Sequence, residues 1–295
     1  MPSKFSRYVC QNCGYETSQY FGRCMNCKEW NSIIEENKSN LTKKIYINES
    51  KKSKLFNEIQ TQKISRIKTG FDEFDRVLGG GLVHGSIILL GGEPGIGKST
   101  LVLQAAGKIS LSQEVLYVTA EESLEQVKIR WNRLNEANSN LKIFAENNLS
   151  TIIQEIKEIH PTVAIIDSIQ AINNADLESA SGSVSQVRSC SSELQQFAKD
   201  NNIALLIIGH VTKDGALAGP KTLEHLVDVV LNFEGDQIST HRLLRGNKNR
   251  FGATFELGIF EMLEDGLNEI KNPSSNFTNK ENIAGVATTI TVEGT

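Results

Sequence analysis

The sequence predicts an α/β protein whose mostly parallel, twisted sheet finishes antiparallel and is preceded by a small four-cysteine zinc finger. Three observations predict it. From Gly70 onward, β-branched apolar runs alternate with amphipathic stretches. A glycine-rich phosphate-binding signature stands at one strand-to-helix junction of that alternation. Four of the five cysteines fall within residues 10–27, in two C-x-x-C pairs.

The 295 residues suggest two domains, at roughly 150 residues each. Hydrophobic residues make up 39%, charged residues 22%, and mean hydropathy is −0.26. The longest apolar run, 203–208, is far short of the ~20 residues a membrane span needs. No apolar stretch follows Met1-Pro2-Ser3-Lys4-Phe5, so no secretory signal is readable; a cytoplasmic protein without disulfides is expected, and no membrane partner. Net charge is −4, but it is unevenly spread. Residues 1–68 hold 13 Lys+Arg against 6 Asp+Glu, net +7, and 69–295 hold 18 against 29, net −11. The basic end is either an attachment for a polyanion or a solvated linker.

In chain order, 1–36 is the finger. Cys10, Cys13, Cys24 and Cys27 place four thiolates where two knuckle turns can aim them at one Zn²⁺. Four protein ligands leave no open position, so the ion is expected to be structural; a redox-active dithiol is the alternative. Gly14 should help the first knuckle turn, and Tyr8, Tyr15, Phe21 and Trp30 are expected to form a miniature core. Residues 37–68 are polar and Lys-rich, a predicted basic linker, with a domain boundary near Lys68.

The core is predicted over 69–270. Strands are expected at 86–91, 115–119, 141–144, 163–167 and 203–209, with helices at 98–109, 124–134, 151–160 and 184–199. Repeated βα units require a parallel sheet covered on both faces. Runs 227–233, 242–246 and 253–260 follow without intervening helices, so the sheet should end antiparallel. Cys190 shares a helical face with Val187, Leu194 and Phe197 and is read as core. Residues 271–295 turn polar and then briefly apolar, as if a further domain were beginning.

Gly92-Glu93-Pro94-Gly95-Ile96-Gly97-Lys98-Ser99 satisfies G-x-x-x-x-G-K-[ST]. Its glycines let backbone N–H groups wrap phosphate oxygens, and the following helix adds its positive end. Lys98 should reach the β/γ-phosphates and Ser99 should ligate Mg²⁺. Asp167, closing an apolar strand, is the candidate carboxylate that holds the magnesium's water shell. Glu121 or its neighbour Glu122, after the strand 115–119, is the candidate to orient the attacking water; an acid pair stabilised by a helix N-terminus is the competing reading. His210 ends the next strand, either as a γ-phosphate sensor or as a packed structural histidine.

These residues resemble one family, the bacterial RadA/Sms DNA repair and recombination ATPases, related to RecA and to hexameric helicases. The likeness rests on the four-cysteine finger, on the stretch from Thr69 to Gly81 leading into the P-loop, and on Glu121-Glu122-Ser123. It rests further on Ile166-Asp167-Ser168-Ile169-Gln170, on the stretch from Gly209 to Gly215, and on Lys248-Asn249-Arg250-Phe251-Gly252, a signature of the family. The resemblance implies a RecA-like core and ATP-dependent binding of single-stranded and branched DNA. It implies too a homo-hexameric ring and branch migration of recombination intermediates in company with RecA. It places ATP on Gly92 through Thr100, Mg²⁺ at Asp167, and the coupling of nucleotide state to DNA at Lys248 and Arg250. Those two cations are expected on a turn between the strands at 242–246 and 253–260, within reach of a neighbour's γ-phosphate or a DNA phosphate.

By the same likeness, 173–186 and 212–221 are the candidate DNA loops, with Lys213 and Lys221 as phosphate contacts. They hold no aromatic residue, so base stacking there should be weak. Family members continue into a Lon-protease-like domain, of which 271–295 would be a linker and truncated start; they usually carry Gly where Ala120 stands. The alternative function is a signalling ATPase or autokinase of the circadian-clock type acting on protein. A third is a metal-dependent binding module with a degenerate nucleotide site.

Overall fold

The computed structural model describes residues 6–10, 13–37, 65–134, 140–209, 222–235 and 239–271. In the finger, β1 (Ser6–Cys10), β2 (Glu16–Thr17) and β3 (Ile33–Asn37) form an antiparallel sheet in the order β2-β1-β3. The core opens with β4 (Arg66–Ile67), paired antiparallel with β5 (Leu82–Val83) across α1 (Asp72–Val77). Then follow β6 (Ile87–Gly92), α2 (Lys98–Ile109), β7 (Val115–Thr119), α3 (Leu124–Arg133), β8 (Lys142–Ala145), α4 (Leu149–Ile159) and β9 (Val163–Asp167). The chain continues through α5 (Val184–Asp200), β10 (Ala204–Ile208), α6 (Thr222–Leu226) and β11 (Val229–Glu234). It ends in β12 (His241–Asn249), β13 (Leu257–Leu263) and β14 (Gly266–Glu269).

The large sheet has nine strands in the order β14-β13-β12-β11-β6-β10-β9-β7-β8. From β11 to β8 every pairing is parallel, and β12, β13 and β14 add an antiparallel meander. The central strands are buried along their whole length, as strands covered on both faces must be. Side-chain alternation divides the core into two layers. Ile88, Leu90, Ile165, Leu206 and Ile208 pack with Leu101, Val102 and Ala105 of α2 and Val127 of α3. Ile87, Leu89, Ile166, Leu205 and Ile207 pack with Ile152 and Ile156 of α4 and with Val187, Cys190 and Leu194 of α5.

Local chemistry sets the helix starts. Ser123 and Gln126 form a reciprocal capping box on α3, Asn148 Oδ1 accepts from Thr151 N at 3.1 Å, and Ser183 Oγ accepts from Gln186 N at 3.4 Å. Because Asn148 is the cap, α4 begins at Leu149 rather than at the predicted Thr151.

Three expectations are corrected. The predicted linker 37–68 is shorter at both ends, because Asn37 closes β3 and Arg66–Ile67 belong to the core sheet. The Arg66 guanidinium donates to the carbonyls of Leu78, Gly81 and Phe251. The strand expected at 253–260 starts only at Leu257, while β12 runs on to Asn249. Lys248 therefore lies in a strand and not on the turn expected for it. Among the described residues no helix is long and apolar enough to cross a membrane.

Candidate nucleotide site and metal centre

The P-loop joins β6 to α2. Gly92, Gly95 and Gly97 have φ of +152°, +77° and +111°, backbone that disfavours side chains; a Cβ on Gly92 would strike the Phe233 carbonyl oxygen. The first turn of α2 has no side-chain cap and no acidic residue, so its N–H groups are left for an anion. Lys98, 4% exposed, folds back and donates to the carbonyls of Gly92 at 2.9 Å and Glu93 at 2.8 Å. Burial lowers its pKa, opposed by the charges of Asp167, Glu121 and Glu93.

Asp167 closes β9 beside this loop. Burial raises its pKa, against hydrogen bonds from Tyr117 and Ser99 that favour the carboxylate. The Tyr117 hydroxyl, fully buried in β7, donates to Asp167 Oδ2 at 2.5 Å. Ser99 and Asp167 thus meet, a hydroxyl and a carboxylate of the hard oxygen type that Mg²⁺ takes, and the donor set fits a magnesium–nucleotide complex.

The two glutamates separate. Glu121 accepts from Ser168 Oγ, next to Asp167, and its charge bears on both Lys98 and Asp167. Glu122 pairs with Arg130 of α3, and its backbone N–H and C=O both engage Thr119 Oγ1. Of the predicted residues, the fold brings Lys98, Ser99, Asp167 and Glu121 together at the carboxyl ends of β6, β7 and β9, where open parallel sheets place ligands. Sequence reading missed Tyr117, Ser168 and Arg130. The readable signal was Tyr117 itself, since a phenol inside an apolar strand must satisfy its hydroxyl.

Lys248 and Arg250 lie elsewhere. Lys248 Nζ donates to the carbonyls of Glu224 at 2.6 Å and Val227 at 2.8 Å, fastening the end of α6. Arg250 pairs with the buried Asp228 at 3.3 Å. Both cations, expected to face phosphate, are thus occupied within the chain. The loop 173–186 has no Lys or Arg and is wrapped on Gln186, whose Nε2 donates to Asn173 Oδ1 and to the carbonyls of Asn174 and Ser179. Its two acids, Asp176 and Glu178, leave it without a phosphate contact of its own. His210, Lys213 and Lys221 lie outside the described residues.

In the finger, both knuckles make the same turn. Gly14 N donates to Cys10 O at 2.9 Å, and Lys28 N donates to Cys24 O at 3.0 Å. The residues after the turn sit at φ +71° (Gly14) and +61° (Lys28). The four Sγ atoms lie within 4.8 Å of one another, with Cys10–Cys27 at 3.6 Å and Cys13–Cys24 at 3.5 Å. A tetrahedron with ~2.3 Å Zn–S bonds has edges of about 3.8 Å, so the thiols fit a zinc ion. Burial pushes the Cys13 thiol up to about 12, which a divalent cation would reverse. The expected aromatic core is corrected: Cys10, Cys24 and Ile33 form the finger's interior with Tyr8 against them, whereas Tyr15, Phe21 and Trp30 are exposed.

A family model described as an AAA domain matches residues 52–216, and one described as a rubredoxin metal binding domain matches 8–35. The DNA repair protein RadA of Streptococcus pyogenes serotype M6 is 47% identical over 299 residues, covering 100% of this chain and 66% of that protein. RadA of Bacillus subtilis is 46% identical over 98% of this chain and 65% of its own length. The chain therefore spans about two thirds of the length of the curated relatives it matches. Among solved structures, a KaiC-like protein of Pyrococcus horikoshii OT3 superposes with a TM-score of 0.57 at 19% identity, over 70% of this chain and 99% of that one. The RadB recombinase gives 0.53 at 23%, over 70% and 100%. These two are likenesses of fold.

Proposed function

Because the chain belongs to the AAA-domain family and to the RadA family of DNA repair proteins, we propose that it is a DNA-dependent ATPase of recombinational repair. In this reading it binds single-stranded DNA, works as a homo-hexameric ring beside RecA in the cytoplasm, and migrates branched intermediates. The observation that supports it most is the convergence of Lys98, Ser99, Asp167 and Glu121 beside an uncapped helix start.

The backbone N–H groups of the P-loop and the start of α2 hold the β- and γ-phosphates of ATP. Lys98 exchanges the carbonyls of Gly92 and Glu93 for phosphate oxygens, a short swing of an ammonium already poised there. Mg²⁺, when bound, supplies positive charge against the triphosphate. Ser99 and Asp167 would hold it, and Tyr117 fixes the direction of the Asp167 carboxylate. Glu121 accepts a hydrogen bond from the attacking water and orients it, and Ser168 steadies Glu121. Glu122, held by Arg130, is a supporting neighbour.

Coupling to DNA runs through the segment between β10 and β11. It begins at His210, which senses the γ-phosphate, carries Lys213 and Lys221 as phosphate contacts, and ends in α6, on whose last carbonyls Lys248 sits. In a ring, Lys248 and Arg250 let go of these internal partners to meet a neighbour's nucleotide or DNA. The test is the ATPase rate with and without single-stranded DNA at low salt, beside a Lys98→Ala control that should be inactive. Stimulation of several-fold is expected. Hydrolysis indifferent to DNA would favour a signalling ATPase that acts on protein.

A further inference from the structure

We propose that the second zinc knuckle is a stacking platform for single-stranded nucleic acid; this deepens the DNA-binding reading above and rests on it for the class of partner. Ten large hydrophobic side chains are exposed among the described residues, and five of them lie between Tyr15 and Trp30. Tyr20 is 57% exposed, and Met25 and Trp30 are 67% exposed. Such a concentration on so small a module is a binding surface rather than scatter.

The finger's other side is already used. Gly14 lies against Val184, and Glu16 pairs with Arg188, so the first knuckle faces α5. Tyr20, Met25 and Trp30 stay exposed with the finger seated on the core. The Arg23 guanidinium sits 5.5 Å from the Trp30 ring centroid, held by a 2.7 Å bond from Nε to Lys28 O. With the guanidinium over one face of an indole that is still 67% exposed, the pair offers an unpaired base the remaining indole surface and its phosphate a cation.

Charge and the placement of aromatic side chains both point to a nucleic-acid strand as the occupant. Loops 173–186 and 212–221 hold no aromatic residue, so stacking chemistry is missing from them and present on the finger. Between β3 and β4, residues 38–65 carry seven Lys+Arg against two Asp+Glu, a net charge of +5 suited to tracking a phosphate backbone. The strand must be single, because bases stacked in a duplex offer no free face to a side chain.

Trp30 and Trp131 are the two tryptophans of the chain, and Trp131 packs over Gly107 in the core. In a Trp131→Phe protein, Trp30 is therefore its own reporter. An oligothymidylate of about 20 nucleotides should quench it saturably, and the same length of duplex should not. In the otherwise native chain, Trp30→Ala should weaken oligothymidylate binding by about 5- to 100-fold. Its salt slope, zinc content and basal ATPase rate should be unchanged. Neutralising Lys43, Lys44, Lys51, Lys52 and Lys54 to Gln should instead flatten the salt slope and leave the quenching. Undiminished affinity in Trp30→Ala, or equal quenching by duplex, overturns the platform while the DNA-dependent reading stands, and assigns the patch to a protein partner. A chain that binds no single-stranded DNA at any salt concentration overturns both.

Discussion

A phenol in the middle of a strand covered on both faces costs folding energy unless its hydroxyl is satisfied, and Tyr117 satisfies it on the carboxylate of Asp167. A hydrogen bond to a charged group contributes about 1.5–3 kcal/mol. Tyr117→Phe should therefore free the carboxylate to swing and raise the Mg²⁺ concentration needed for half-maximal hydrolysis by about 10-fold or more, with the rate at saturating Mg²⁺ less affected. A magnesium titration of the ATPase reads this directly. The two adjacent acids should part in the same assay. Glu121→Gln, beside Ser168 and Lys98, should keep nucleotide binding and lose hydrolysis by about 100-fold or more. Glu122→Gln, which gives up only the Arg130 pair, should lose far less.

Asp167 carries a stability consequence as well. Its folded-state pKa is raised, chiefly by burial, so its ionisation opposes folding once pH exceeds the ordinary carboxylate value of about 4. Removing the charge should then raise the melting temperature of nucleotide-free Asp167→Asn at pH 7, with the gain vanishing as pH falls through 4 and both states become protonated. An Asp167→Asn protein that melts lower than the native chain at pH 7 would show that the hydrogen bonds from Tyr117 and Ser99 and the charge of Arg130 outweigh desolvation.

At the scale of elements, legibility followed periodicity. Strands such as β7 and β9 and helix α2 matched their predicted spans because apolar runs and the P-loop glycines mark their limits in local sequence. What local sequence does not encode is partnership across the chain. Arg66 reads as part of the basic linker 37–68, yet Phe251 O takes its guanidinium from 185 positions away. Lys248 reads as an exposed cation until α6 is brought against it. The same holds for Gln186, an unremarked polar residue of a helix start that anchors the whole turn before it. Its amide donates to Asn173, Asn174 and Ser179 and accepts from Asn174 N, and all but the bond to Asn173 are buried. Gln186→Leu would leave those backbone groups unpaired, at about 1–3 kcal/mol each for the ones that stay buried. Urea denaturation should show a loss of about 2–4 kcal/mol. Protease cleavage should appear first within 173–183. Equal protection of that loop in the variant would mean that the glutamine does not hold it.

For the whole molecule, the question is how far the finger and the ATPase core depend on each other. The finger's own hydrophobic cluster is three buried residues, two of them zinc ligands, which is far too little apolar surface to hold a fold without the metal. Its described attachment to the core includes the contact of Gly14 with Val184, the buried Val9 facing the same stretch of α5, and an ion pair, Arg188–Glu16, both of whose side chains are largely exposed. An exposed pair of that kind contributes about 0–1 kcal/mol. Two separate units of stability follow. Stripping zinc with a strong chelator under reducing conditions should abolish the near-ultraviolet signal of Trp30 and its neighbouring tyrosines. The melting temperature of the core and its DNA-independent ATPase rate should stay the same. The four thiols released should be countable with a thiol reagent, whereas Cys190, buried in the α5 layer with its pKa pushed up to about 12, should react only on global unfolding. If the core instead melts with the finger, the two surfaces share more than one ion pair, and the segment between them must carry the coupling.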